Sequence, residues 1–442
     1  MFPLPASGGG LWRRPCFLTL GKLRSAGHMN VTVVGAGGHV GLPLSLVLAQ
    51  AGHFVYGLDI NTEVNAQVMA GQMPFIEEHA DNLLKEVLAT KRLQMTDRID
   101  VIGRSDVVII IIGTPIDENL NPRVDHLIKF IKAAKPYLKD QLIILRSTVS
   151  PGTTDAVRKA LGDGDGDGDG DGKLDLVFGP ERVLQGKSIE EIKSLPQIIG
   201  AYDERAYNRA AAFFNTFIES ETHFLTPTEA ELGKLITNMA RYVEFALANE
   251  FHLICGQFGA NAIRVIDAVN KDYPRLKLPV PGPNVGGPCL YKDGWYLVER
   301  VPYNEMISSA FRINEGMTMQ ILQQIEKRMP AGKVVVLGMA FKANNDDTRN
   351  SLAFKMRRQL QFKGYDVVCV DPRVPGHSPI EDISGADAVI LMTPHREFKD
   401  LKAVLGHIDN PDCWLVDIWG LWPEMRHTSD NGYFQSHEVK QT

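Results

Sequence analysis

The segment NVTVVGAGGHVGLPLSLVLAQAGHFVYGLD, residues 30–59, constrains the fold more than any other part of the chain. A short β-branched run ends in glycines, an apolar helical stretch follows, and a second apolar run closes on an aspartate. Strand, turn, helix and strand in that order read as a crossover unit of a parallel sheet. The rhythm continues in DVVIIIIGTP (106–115), QLIILRSTV (141–149) and LDLVFGPE (174–181). Apolar strands without alternation, separated by helices, require a sheet covered on both faces.

Residues 228–270 break the rhythm. They keep helical periodicity without proline and predict about three helical segments interrupted by glycines near 256 and 259. A proline-rich loop at 274–288 and another helical stretch lead to a second run of apolar strands: KVVVLGMAFKANNDDTRNS, YDVVCVDP, DAVILMTPH and CWLVDIWG. The expected fold is therefore α/β, with two Rossmann-like, doubly wound parallel-sheet domains joined by a central helical section. The expected boundaries are 29–227, 228–318 and 319–442, and the polar tail after Trp422 is expected to be poorly ordered. Residues 1–28 carry basic and no acidic side chains and lack periodicity. They are read as a disordered or overcalled extension outside the fold.

The net charge of −6 argues against nucleic-acid and membrane-surface partners, which select for basic excess. No run reaches the roughly 18–20 apolar residues that span a bilayer. Five scattered cysteines, with no CxxC pair and no metal-ligand spacing, fit a reducing, cytoplasmic setting and no metal site. The repeat GDGDGDGDGDG at 162–172 lacks the closing glutamate of a calcium loop and reads as a solvated linker.

In VVGAGGHVGLPLS a strand runs through glycines into a helix, the setting in which backbone N–H groups and a helix N-terminus receive a pyrophosphate. The frame Ala36, Gly38, Gly41 keeps two glycines at the closest approach, with His39 and Val40 inside the turn. Asp59 ends the next strand, where a carboxylate binds ribose hydroxyls and repels a 2′-phosphate, so the cofactor expected is NAD.

NVGGPCLYKD, residues 284–293, sets Cys289 behind Gly286 and Gly287. Taken singly, Cys289 reads equally as a buried small hydrophobe, a loop residue or a reactive thiol. The longer segment GPNVGGPCLYKD resembles the cysteine motif of the UDP-glucose/UDP-N-acetylhexosamine/GDP-mannose 6-dehydrogenase family. GHVGLP, STVSPGTT (147–154), GPERVLQG (179–186), ELGKLITN (231–238) and GMAFKANNDDTRNS (338–351) match further blocks in the same order, and the likeness spans about Met29 to Trp422.

The resemblance implies a four-electron, NAD-dependent oxidation of the C6 alcohol of a nucleotide sugar through a cysteine thiohemiacetal and thioester. It implies Cys289 as nucleophile, Lys234 and Asn238 as stabilisers of developing oxyanions, and Asp293 and Thr148 as holders of a water. Glu181 is implied as the base of thioester hydrolysis. Thr114, Thr148 and Arg349 join the cofactor site. Glu181, Arg182, Lys234, Asn238, Arg275, Gly286, Phe341 and Lys342 line the sugar-nucleotide site, with Arg275 reaching a neighbour's site in a homodimer built on the middle helices. PERVLQG tilts the substrate toward a UDP-N-acetylhexosamine such as UDP-N-acetylmannosamine, with UDP-glucose as the alternative. A two-electron hydroxyacid dehydrogenase or a non-catalytic nucleotide-sugar or NAD sensor are the further readings; the former needs neither the cysteine nor the second α/β domain.

Overall fold

A computed structural model describes residues 27–117, 123–162, 174–298, 301, 303–427 and 430–436. The Asp-Gly repeat beyond Gly162 and the segment before residue 27 lie outside the described residues.

The first sheet has eight strands: β1 (Asn30–Val34), β2 (Phe54–Leu58), β3 (Leu93–Thr96), β4 (Val107–Ile110), β5 (Leu142–Leu145), β6 (Asp175–Phe178), β7 (Gln197–Ala201) and β8 (Thr222–Leu225). Their order is β3-β2-β1-β4-β5-β6-β7-β8. All neighbours are parallel except β6 and β7, which run antiparallel. The central strands are buried on both faces because two apolar clusters flank them: Val31, Val33, Ile109 and Ile144 pack on one side, Val34, Val108, Ile110 and Ile143 on the other. The order reverses between β1 and β4, so a crevice opens at the carboxyl ends of these strands, where doubly wound sheets bind ligands. Gly35, Asp59, Thr114 and Thr148 all follow strands that end there.

Pro227–Gln257 forms one helix of 31 residues, about 46 Å at 1.5 Å per residue. Thr226 and Glu229 make a reciprocal capping box at its start, and proline occupies the first turn. The glycines at 256 and 259 end this helix instead of interrupting it, and Ala262–Asn270 follows, so the region holds two helical segments where three were expected. Helix Gly287–Val298 begins two residues before Cys289, and helix Glu305–Arg328 leads into the second sheet.

That sheet comprises β9 (Lys333–Leu337), β10 (Asp366–Val370), β11 (Ala388–Leu391), β12 (Trp414–Val416) and β13 (Tyr433–Gln435), in the order β10-β9-β11-β12-β13. The final strand corrects the expectation of a poorly ordered tail. β13 pairs antiparallel with β12, Tyr433 and Phe434 are buried, and the Trp422 ring packs edge-on to Phe434. Two apolar residues in a polar stretch were too weak a periodic signal to read. Among the described residues no helix is long and apolar enough to cross a membrane.

Candidate active site

Steric demand for glycine in the dinucleotide turn falls on residues 35, 37 and 41. A Cβ on Gly35, which has φ +81°, would lie 2.2 Å from the Ile111 carbonyl oxygen, and one on Gly41 would lie 2.1 Å from the Gly35 oxygen. A Cβ on Gly37 would approach Asp59 Oδ2 to 3.0 Å. At Gly38 the nearest atom is 3.6 Å away, an ordinary contact. The glycine pattern is thus Gly35, Gly37, Gly41, which shares only its last member with the frame read from sequence, and Ala36 is a buried packing residue. The Asp59 carboxylate accepts from Gly37 N at 2.8 Å and Asn61 N at 3.0 Å, so it stands at the turn where a ribose would lie. A close-approach turn, a helix starting at Gly41 and a carboxylate beside it fit a dinucleotide. Val40 precedes that helix as its N-cap.

His39 packs tilted against Phe75 and lies 2.8 Å from Gln185 Nε2 through its Nδ1. Burial lowers the imidazole's pKa against the pull of Asp347, which suits Nδ1 as a neutral acceptor. The same Gln185 amide donates to Asp347 Oδ2 at 3.0 Å, and Lys342 Nζ donates to the Gln185 carbonyl at 2.6 Å. The dinucleotide turn, the PERVLQG loop and the DDTR turn therefore meet on one glutamine.

Cys289 lies in the first turn of its helix and is open to solvent, yet protein crowds around it. Burial and the Asp293 carboxylate push its thiol up, while Lys234, Lys292 and Arg349 pull it down. Lys234 is buried on the long helix, and that burial lowers its pKa while Asp293, Cys289 and Glu181 oppose the shift. Asn238, one turn on, donates to Asp293 Oδ2 at 2.6 Å, and Lys292 Nζ sits 3.1 Å from Asp293 Oδ1. Burial alone would lower Lys292; Asp293, Tyr296 and Cys289 outweigh it and raise it. Cys289, Lys234, Asn238, Asp293 and Arg349 are thus brought together, joined by Lys292.

Other expected residues have separate partners. Glu181 accepts four hydrogen bonds: two on Oε2 from the Arg146 guanidinium, at 3.0 and 2.5 Å, and two on Oε1 from Arg182 N and Val183 N. Arg146 is itself buried and also donates to Gly179 O. The Arg182 guanidinium donates to the Pro196 carbonyl. The Thr114 hydroxyl donates to the Thr148 carbonyl, and the Tyr296 hydroxyl donates to the Thr114 carbonyl, which ties the cysteine helix to the ends of β4 and β5. Arg349 holds Asp347 through Nη2 at 2.6 Å and stays half exposed. Gly286 has φ +117°, and a Cβ on Gly287 would strike the Phe341 ring at 2.3 Å. Arg275 is exposed and lies over the Tyr273 ring at 4.7 Å, apart from the cysteine cluster.

Lys292 stands within the cysteine motif itself, three residues after Cys289, and Arg146 is a single charge ending the apolar run QLIIL. Asn284 and Gln185 gave no sequence signal, because their partners lie on distant segments.

A dinucleotide cradle, a cationic thiol site and a second α/β domain together define a nucleotide-sugar dehydrogenase. The chain matches the NAD binding domain of the UDP-glucose/GDP-mannose dehydrogenase family over residues 29–218, its central domain over 228–316 and its UDP binding domain over 335–424. It is 34% identical over 385 residues to a UDP-N-acetyl-D-mannosamine dehydrogenase of Pyrococcus horikoshii, covering 85% of this chain and 91% of that protein. The corresponding enzyme of Methanocaldococcus jannaschii is 32% identical over 397 residues, covering 86% and 90%. The solved UDP-D-ManNAc dehydrogenase of Pyrococcus horikoshii superposes with a TM-score of 0.80 at 32% identity, covering 89% of this chain and 96% of that one. A UDP-glucose dehydrogenase from Pyrobaculum islandicum gives a TM-score of 0.79 at 26% identity, covering 89% and 95%. The chain belongs to the UDP-glucose/GDP-mannose dehydrogenase family and is an NAD-binding nucleotide-sugar dehydrogenase.

Proposed function

We propose that this chain oxidises the C6 alcohol of a UDP-N-acetylhexosamine, UDP-N-acetylmannosamine foremost, to the uronic acid. The observation that carries the chemistry is a thiol crowded by protein, whose charged surroundings include three cations, Lys234, Lys292 and Arg349, beside the buried Asp293–Asn238 pair. The Gly35–Gly41 turn and Asp59 would hold NAD, which would supply the hydride acceptor for both oxidations.

The alcohol loses a hydride and a proton to become an aldehyde. Cys289 sulfur adds to the aldehyde carbon, a C–S bond forms, and the oxygen takes a proton as the thiohemiacetal. Loss of a second hydride and proton leaves the thioester. Water then adds at the acyl carbon, the C–S bond breaks, and carboxylate and thiol separate. Lys234, buried on the long helix, and Asn238, one turn on, are given the task of stabilising the oxyanion that develops beside Cys289.

Glu181, implied as base by the family likeness, has its carboxylate acceptor sites filled by four donors. Asp293 accepts from only Asn238 and Lys292 among the described residues. We therefore assign the hydrolytic water to Asp293 and give Glu181, with Arg146, the task of shaping the PERVLQG loop.

The relatives named as UDP-N-acetyl-D-mannosamine dehydrogenases support the sugar, as does Arg182 after Glu181. The test is kcat/KM over a panel of UDP- and GDP-sugars: preference for UDP-N-acetylmannosamine is expected, and higher efficiency on UDP-glucose refutes the choice.

The protein is further read as a homodimer. Ile236, Leu247, Phe251 and Ile254 are exposed on the long helix, and Phe258 is exposed at its C-cap. At 100° per residue they fall within about 60° of one another, on the face opposite Lys234 and Asn238. A stripe of this size marks an association surface.

A further inference from the structure

We propose that Asn284 is a positioning residue for Cys289, setting the placement of the thiol from the third domain. This rests on the covalent role proposed for Cys289.

Asn284 lies in the loop before the cysteine helix and is 3% exposed. Its Nδ2 reaches Ala340 O at 3.0 Å, Ser351 Oγ at 3.0 Å and Thr393 Oγ1 at 2.9 Å, while its Oδ1 accepts from Leu352 N at 2.7 Å. Ala340 follows β9, Thr393 follows β11, and Leu352 opens helix Leu352–Phe362. β9 and β11 are the adjacent strands between which the order of the second sheet reverses, so the side chain fills the crevice at its switch point. A loop residue of the central section has been built into the core of the domain beyond it.

The loop is pinned a second time. Gly282 N donates to Asn249 Oδ1 at 2.8 Å, Asn249 Nδ2 to Asn314 Oδ1 at 2.9 Å, and Asn314 Nδ2 to the Tyr242 carbonyl at 3.1 Å. Asn249 and Asn314 are fully buried. Residues 282 and 284 are therefore fixed by different bodies, the long central helices and the second sheet. Between Asn284 and Cys289 lie buried Val285, two glycines at positive φ and one proline, with Gly287 against Phe341. Glycines alone would give this stretch slack, but Val285 is buried, Gly286 lies against Tyr242 and Gly287 against Phe341, so the packing around it ties the placement of Cys289 to that of Asn284. Buried amides of this kind specify one arrangement because every alternative leaves a polar group unpaired.

The test compares full-length wild type, Asn284→Ala and Thr393→Val, the last removing one partner while keeping shape. Thermal unfolding and NAD affinity report folding. Iodoacetamide alkylation of Cys289 across pH, corrected with Cys289→Ser, reports thiol placement, and kcat and KM for the nucleotide sugar report its use. Asn284→Ala is expected to bind NAD within about two-fold of wild type, to shift the alkylation profile, and to lose about 10- to 100-fold in kcat, the scale of a nucleophile displaced by an ångström. Thr393→Val should change the same quantities less. If Asn284→Ala does not fold, Thr393→Val alone decides. Unchanged alkylation and kcat in a folded variant overturn the proposal. Because alkylation needs no substrate, a wild type that fails to oxidise nucleotide sugars refutes the covalent function separately.

Discussion

Cys289 and His252 show burial acting on single groups in opposite directions. Burial raises the Cys289 thiol while its cations draw it back, so alkylation of the substrate-free enzyme should have a midpoint above the 9.0 of an unperturbed thiol. Replacing Lys234 by Met removes the largest counter-pull and should move the midpoint higher; a midpoint below 9.0 in wild type would contradict the stated balance. His252 is buried on the long helix, its Nδ1 has no hydrogen-bond partner among the described residues, and burial lowers its pKa to about 4. Between pH 6.5 and 4 the unfolded chain binds this proton and the folded chain does not. Stability is therefore full above pH 6.5 and is lost as pH falls through that window. The loss from pH 7 to 5 is about 2 kcal/mol from this group. Urea titrations of wild type and His252→Gln at both pH values check it: the variant should lose that much less. Cys289, Lys234, Asn238 and Asp293 were legible because ordered motifs carry them. The competition among burial and charges was not, since it depends on which segments become neighbours.

At the scale of elements, the strand ends and the long helix carry the site. Arg146 follows β5 and Glu181 follows β6, parallel neighbours, which brings two opposite charges together, buried, at the carboxyl end of the sheet. Removing one partner of a buried pair leaves the other uncompensated, so Arg146→Ala should cost about 3–5 kcal/mol in denaturant unfolding. A loss under 1 kcal/mol would show that the pair is dispensable. The long helix serves two faces, Lys234 and Asn238 inward and the Ile236–Phe258 stripe outward. Leu247→Glu is expected to turn a dimer into a monomer in sedimentation velocity; a monomeric wild type would refute that use of the stripe. Strand and helix order was readable from periodicity. The helix end at residue 257 was not, because a glycine at 256 is equally a break and a terminus until tertiary packing decides.

At the scale of the whole molecule, the three sections converge on the cysteine loop. Ile76 N meets Asp346 and Gln185 joins His39 to Asp347, so the cofactor domain touches the UDP binding domain, while Phe341 of the UDP binding domain lies against Gly287 in the cysteine loop. The alternation of elements announced both sheets, but the antiparallel β13 carries no period and stayed hidden. Asp59 predicts cofactor choice: Asp59→Ser should weaken preference for NAD over NADP by about 10-fold, the worth of one hydrogen bond or charge contact near the ribose. An unchanged ratio of kcat/KM for the two cofactors would contradict the role given to this carboxylate. The covalent four-electron route is tested most directly by counting NADH against nucleotide sugar consumed, in wild type and Cys289→Ser, with the product identified by mass. Two NADH per sugar and a uronic acid from wild type, with no acid from the variant, are predicted; one NADH per sugar with free aldehyde would contradict the account.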